Sequence, residues 1–408
     1  MRNTTVLISG ASIAGPALAH WLIRYGFAVT VVERAPSLRL GGQAVDFKGE
    51  THRTVLGRMG ILDDVRRLQT GGSDQEIVDA DGRTLAVMPG EFIGGDIEIL
   101  RGDLAHLLYE RTAPACEYIF GDSITSLTET GDGVHVTFER SAPRTFDLVV
   151  GADGIHSNVR RLAFGPEEQY VRFLGHYYAL VETGLDFGEP GKMYNEPGRM
   201  VAVGGPKAPA FFVFASEPLK YDRYDIEQQK KLLDRAYAGM GWRVPEVMAA
   251  VRNAREVYFD SLSQVRIDRY SRGRVVLLGD AAYGNTLGGF GTGLAIVGAY
   301  MLAGELAMAA GDHRVAFAEY ERQFRPYAKI AKNGNAGPFL APGSRARMRM
   351  RNWTFKYGFL LRLMLKLTDK FATDIELKTY LRPPREGSSG SNAGRRVEVF
   401  RAEDPRDM

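Results

Sequence analysis

The stretch Thr4-Thr5-Val6-Leu7-Ile8-Ser9-Gly10-Ala11-Ser12-Ile13-Ala14-Gly15 decides the fold of this 408-residue chain. Thr4–Ile8 is a short apolar strand and Ser9–Gly15 a turn of small residues. Pro16–Tyr25 is a helix whose proline falls in the first turn, where a missing N–H costs nothing. Ala17, Leu18, Trp21 and Leu22 share one face at helical spacing. Gly26 ends the helix and Ala28–Glu33 forms a second strand. Such a strand–helix–strand unit of about 30 residues is half of a dinucleotide-binding fold.

Each position of the turn has a mechanical reason. Gly10 permits the tight passage from strand to helix, and Gly15 lets helix and strand pack closely. The middle position must be small so that the backbone can approach a pyrophosphate; here it is Ser12. Ile13 and Ala14 open the helix, whose free N–H groups and positive dipole end suit phosphates. Glu33 closes the second strand about 20 residues later, where an acid accepts hydrogen bonds from an adenosine ribose. An acid there disfavours a 2′-phosphate, so the resident nucleotide is FAD or NAD rather than NADP; Arg34 is assigned to the same site.

Working outward, Val55–Arg67 reads as a helix, Ser73–Val87 as a hairpin turning at Asp81-Gly82, and Asp103–Thr112 as a helix after Arg101. Ser123–Glu139 gives two alternating strands, and Phe146–Gly151 a buried strand ending in a second glycine turn. From Val171 to Asp268 aromatic, alternating segments predict an inserted antiparallel sheet with a helix near Ile226–Met240. Val275–Leu278 returns to a buried strand, followed by a glycine-rich turn, a helix to about Ala310, and helices at Tyr320–Ile330 and Asn352–Thr379.

The polar stretch after Pro383-Pro384 predicts a disordered tail. The predicted class is therefore α/β: a Rossmann-like FAD-binding domain with an inserted antiparallel β-sheet substrate domain and C-terminal helices. Its expected boundaries are 1–72, 97–170 and 269–340 for the FAD-binding part, and 73–96 with 171–268 for the substrate sheet. The remainder divides into a helical segment at 341–382 and a tail at 383–408.

With these motifs in order, the chain resembles the single-component FAD-dependent aromatic hydroxylases typified by p-hydroxybenzoate hydroxylase. Within them it is most similar to a short branch that includes the tetracycline-inactivating monooxygenases. The resemblance covers about residues 4–340 and rests on the first unit with Glu33, on Arg101-Gly102-Asp103-Leu104, on Asp153–Arg160 (DGIHSNVR) and on Gly279-Asp280-Ala281-Ala282. It implies that Arg101 contacts the dinucleotide, that the Asp153 segment lies by the pyrophosphate and takes part in NAD(P)H binding, and that Asp280 hydrogen-bonds the ribityl chain. Asp280 follows the buried strand, at the sheet edge where ligands bind. The glycine-rich run from Gly284 suits a backbone lying against a flat ring, with Gly291, Gly293 and Leu294 opening the next helix toward it.

The resemblance further implies a monooxygenase with tightly bound FAD and a transient NADPH or NADH. Reduced flavin and O2 would form a C4a-hydroperoxide that hydroxylates a bulky aromatic or polyketide-like small molecule. The difficult chemistry belongs to the cofactor, so no catalytic side chain is assigned. His176, Tyr178, Asn195, Phe212 and Phe214 are the candidate substrate residues on the sheet, with plain sheet core as their alternative. His156 reads as a solvated turn residue, and Arg160 as a surface residue paired with a phosphate or acid. One departure stands out. The family has proline before its glycine motif after the GD pair, and this chain reads YGNTLGGFG there. That keeps open a flavin-dependent cyclase or rearrangement enzyme of natural-product biosynthesis.

Composition narrows the field. Mixed charges summing to +3 leave no footprint for nucleic acid. One cysteine, Cys116, excludes an internal disulfide and a cysteine zinc site, and the seven histidines form no metal-binding pair. Without a signal pattern or an apolar run of about 18 residues, the chain is expected to be cytoplasmic. Oligomeric state, monomer or dimer, stays open. Arg345–Arg351 (RARMRMR) begins a basic amphipathic helix, expected to pack across the domains rather than lie on a membrane.

Overall fold

The computed structural model describes residues 2–39, 42–90, 95–205, 208–288, 291–329, 334–356 and 375–380. Its centre is a six-stranded sheet in the order Ser271–Arg272, Val275–Leu277, Leu148–Gly151, Thr5–Ser9, Ala28–Glu33 and Glu117–Phe120. All neighbours run parallel except the Ser271–Arg272 edge. A parallel sheet covered on both faces requires near-continuous apolar strands, which explains VLI, VTVV and LVV at its middle. The helices Ala14–Arg24 and Gly291–Met308 pack on each other against this sheet.

Gly291–Met308 is apolar all round and long enough to cross a bilayer, which the sequence reading overlooked. Most of it is enclosed by the protein, so it is a core helix.

A seven-stranded sheet forms the second layer. Its order is Tyr258–Val265, Val171–Val181, Ala210–Ala215, Arg199–Val203, Gly191–Glu196, Gln75–Val78 and Thr84–Met88. The early hairpin joins it by parallel pairing of Gln75–Val78 with Gly191–Glu196. Helices Ile226–Tyr237 and Val244–Asn253 cover one face, packing on Tyr177, Ala179, Phe212 and Phe214. The other face carries Tyr178, Met193, Met200, Val213 and Leu262, and meets Ala341 and Phe355 near the C-terminus. The fold is the mixed α/β architecture read from the sequence.

Several element bounds differ. Val55–Arg67 is two helices, Gly49–Met59 and Leu62–Arg67, because Gly60 takes φ 74° and breaks the run. Val244–Asn253 is an additional helix. Of the C-terminal helix expected at Asn352–Thr379, the structure describes the start, within Arg345–Lys356, and corrects the end, because residues 375–379 are not helical; residues 357–374 and 381–408 lie outside the described residues.

Candidate FAD site

The glycines of the first turn are forced by contact. Gly10 has φ 109°, and a Cβ there would overlap the Ala152 carbonyl, its carbon only 2.8 Å away. A Cβ on Gly15 would collide with the carbonyl of Gly10 itself. Ala14, the helix's first residue, packs beneath Gly279, where an added Cβ would lie 3.0 Å from the alanine methyl. The N-cap residue Ile13 supplies no side-chain acceptor to the first-turn amides, the arrangement that receives an anion. Ser12 is more than a tolerated substitute, because its Oγ accepts a 2.9 Å hydrogen bond from Arg101 Nη2.

Glu33 is half-buried beside this turn. Its Oε2 accepts from Ala11 N at 2.8 Å and its Oε1 from Ala35 N at 2.9 Å, which fixes the carboxylate at the end of its strand. Arg34 points outward, donating to Tyr224 Oη at 2.7 Å with its guanidinium 4.5 Å from the centre of that ring. Arg34 thereby ties the strand end to the loop between the strand Ala210–Ala215 and the helix Ile226–Tyr237.

Asp280 begins a short helix after Gly279. It is exposed to a cleft, yet deep enough that burial raises its pKa, an effect opposed by Arg101. The backbone at Gly291 passes close by: a Cβ there would sit 3.5 Å from Asp280 Oδ1. A side chain at Gly293 would overlap the His52 ring, and Leu294 is buried in the core.

Asp46, which the sequence reading missed, lies on the strand Ala44–Phe47 opposite Glu98. Burial first, then Glu98, lift its carboxyl to about 6, against a hydrogen bond from Gly95 N. Its signal was weak because a lone acid in AVDF resembles any alternating strand.

The DGIHSNVR segment behaves differently from its reading. Asp153 accepts from Ser157 Oγ at 2.5 Å, Val159 N at 3.0 Å and Ser9 Oγ at 3.3 Å, so it locks the second turn to the first strand. Arg160 is fully buried and not a surface residue; it donates to the carbonyls of Ala281 (2.9 Å) and Ile155 (2.6 Å). His156 is not solvated either. Its Nδ1 lies 2.9 Å from Glu167 Oε1 and its Nε2 3.0 Å from Asp260 Oδ1. Burial alone would lower its pKa, but hydrogen bonds to Asp260 and Glu167 outweigh that and raise it to about 9.

The five candidate substrate residues separate by strand parity. Phe212 and Phe214 are corrected to core: they point to the side covered by the helices Ile226–Tyr237 and Val244–Asn253. Asn195 is buried and committed to the C-terminal helix, accepting from Arg351 Nη2 at 2.8 Å and donating to the Leu340 carbonyl at 2.8 Å. His176 is buried against Gly337. Tyr178 is buried too, and its hydroxyl donates to Tyr258 Oη at 3.1 Å.

Tyr258, unnoticed in the sequence, keeps 42% of its surface open. Burial and Asp260 push its phenol up to about 12, while Arg101 acts in the opposite direction. Pairing of Tyr258–Val265 with Val171–Val181 brings these two tyrosines together across 80 residues, which no local pattern reveals.

The loop after Asp280 is braced without proline. Val265 N donates to the Gly284 carbonyl (2.8 Å) and Thr286 N to Ser263 (3.0 Å), while Asn285 Nδ2 donates to Gly334 (2.8 Å). Leu287 takes φ 53° there; Gly289 lies outside the described residues.

The profile of the FAD binding domain family matches residues 3–170. A flavin-dependent monooxygenase of Legionella longbeachae is 35% identical over 338 residues, covering 80% of this chain and 86% of its own. The chain belongs to the flavin-dependent monooxygenases. As a member of that family it is an FAD-binding oxidoreductase of the aromatic-hydroxylase type. An uncharacterized protein of Mycobacterium tuberculosis is 44% identical over 80% of this chain and 91% of its own. The crystal structure of tetracycline destructase Tet(55) superposes with a TM-score of 0.78 at 33% identity, over 93% of this chain and 99% of that one.

The monooxygenase's residues fit the flavin dinucleotide. The first turn leaves no room for a side chain at Gly10 or Gly15, the helix behind it presents amides without a side-chain cap, and Asp280 offers a carboxylate to the cleft.

Proposed function

We propose that this monooxygenase uses NADH or NADPH to hydroxylate a bulky aromatic or polyketide-like molecule bound between Asp280 and the Tyr178–Tyr258 pair. The observation that carries the reading is the part-exposed Tyr258, whose hydroxyl accepts from Tyr178 and lies in the electrostatic reach of both Arg101 and Asp280. FAD, when bound, supplies acceptance of the hydride and activation of O2.

The residues proposed to hold it are Gly10, Ser12, Ile13, Ala14 and Gly15 at the pyrophosphate, Glu33 and Arg34 at the adenosine, and Arg101 and Asp280 along the chain between the rings. Gly291 and Gly293 leave room for the flat ring, and Asp153 and Leu294 shape the site from within. Tyr178 donates to Tyr258, which leaves the Tyr258 proton available for a carbonyl or phenolic oxygen of the substrate. The sheet behind these tyrosines is packed and apolar, which excludes water from that side. Similarity to a tetracycline destructase supports a large fused-ring substrate.

The test is turnover of the purified yellow protein with NADH or NADPH and a panel of phenolic and polycyclic compounds under isotopically heavy O2. One labelled oxygen in the product is expected. Product without label, or nucleotide oxidation that no compound stimulates, would overturn the reading.

A further inference from the structure

The segment 216–225, between the strand Ala210–Ala215 and the helix Ile226–Tyr237, is built onto the substrate sheet. Leu219 N donates to Tyr177 Oη at 2.8 Å, and the Tyr221 ring stands edge-on to Tyr177 and Phe259. Its tip is a capped turn. Asp222 Oδ1 accepts from Tyr224 N at 2.9 Å, Asp225 Oδ1 from Gln228 N at 2.9 Å, and the Arg223 carbonyl from Gln229 Nε2 at 2.8 Å. The turn therefore fixes the Tyr224 backbone from within its own lobe.

Two side chains at this tip cross to the other lobe. Arg223 Nη2 lies 3.7 Å from Glu167 Oε1, the atom that also meets His156. Tyr224 Oη accepts from Arg34 Nη1 at 2.7 Å, and the guanidinium lies 4.5 Å from its ring centre. In the chain Glu167 follows the strand Leu148–Gly151 and Arg34 follows Ala28–Glu33, the two strands that flank Thr5–Ser9. The tip is thus tied on both sides of the strand that ends in the Gly10 turn.

Among the described residues Arg34 has no carboxylate partner, and the Tyr224 hydroxyl has no partner but Arg34. Both are exposed, so burial holds neither of them. A guanidinium is planar and stacks on rings by its faces. Tyr224 takes one face and leaves a flat cation, next in sequence to Glu33, for a second ring.

We propose that Tyr224 closes the adenosine end of the FAD site. It fixes one face of the Arg34 guanidinium so that the other stacks on the adenine, and FAD leaves only after this contact between the lobes opens. The inference rests on the adenosine placement proposed above for Glu33 and Arg34.

The experiment dilutes the FAD-loaded protein into FAD-free buffer and follows release by flavin fluorescence. Tyr224→Ala should release FAD about tenfold faster than wild type, the joint loss of one hydrogen bond and one cation–π contact. Tyr224→Phe keeps the ring and should fall between the two. The FAD-free Tyr224→Ala protein should melt at the wild-type temperature, because the tip is capped by its own residues. Unchanged release in Tyr224→Ala while Arg34→Ala speeds it overturns the proposal and leaves the adenosine reading standing. Unchanged release in both variants overturns that reading as well. An equal fall in melting temperature with and without FAD also overturns the proposal, since Tyr224 is then only a brace between the lobes.

Discussion

Arg101 Nη2 donates to Ser12 Oγ at 2.9 Å, so the arginine that opens one helix is held by the residue standing where a third glycine would be. The turn's apparent defect is therefore a polar anchor. Replacing Ser12 with alanine removes the anchor without adding bulk. One such bond contributes about 1 kcal/mol, so Ser12→Ala should weaken FAD binding roughly fivefold. Titration of apoprotein with FAD, followed by flavin fluorescence, checks this; unchanged affinity would show that Arg101 needs no support.

Asp280 should matter more, because its carboxylate is placed at depth and faces the cleft. Asp280→Ala is expected to raise the FAD dissociation constant by at least about tenfold, the range for a hydrogen bond to a charged group. The ratio of flavin to protein absorbance after gel filtration reports it directly.

His156 gives the fold a pH signature. Its pKa in the folded state is raised to about 9 from an ordinary 6.5. The stabilisation by Glu167 and Asp260 is thus complete below pH 6.5 and lost as pH rises through 9. Melting temperature should fall across that window in the wild type. His156→Gln should be less stable at pH 6 by on the order of 1–3 kcal/mol, and flatter with pH. Parallel melting curves for the two proteins would refute the assignment.

Tyr258 and Phe212 provide a matched pair. Tyr258→Phe removes one donor at the cleft, so KM for an oxygenated substrate should rise about fivefold while FAD content stays constant. Phe212→Leu perturbs only core and should cost about 1 kcal/mol of stability with KM unchanged. The opposite pattern would place substrate on the other side of the sheet.

The dinucleotide unit was legible because its constraints are local: Gly10, Gly15 and Glu33 all act within the first two strands. Strand existence in the inserted sheet was legible too, through alternation. Which face each side chain took was not, since parity acquires meaning only once Tyr178 is paired with Asp260 and Val213. That is why Phe212 and Phe214 were misplaced and Tyr258 was missed. His156 and Arg160 were misread for a related reason. Their partners, Asp260 and Ala281, arrive more than 100 residues later in the chain.

The central sheet is assembled from strands far apart in the chain. Thr5–Ser9 pairs with Leu148–Gly151, which in turn waits for Val275–Leu277. During synthesis the nascent enzyme therefore exposes an unpaired apolar strand edge until more than two thirds of the chain has been made. The hairpin Gln75–Met88 likewise waits more than 100 residues for Gly191–Glu196. Neither lobe is a contiguous segment that could fold ahead of the other. Non-local closure of this kind slows folding in general, and here it is the same topology that places Asp280 beside the first turn.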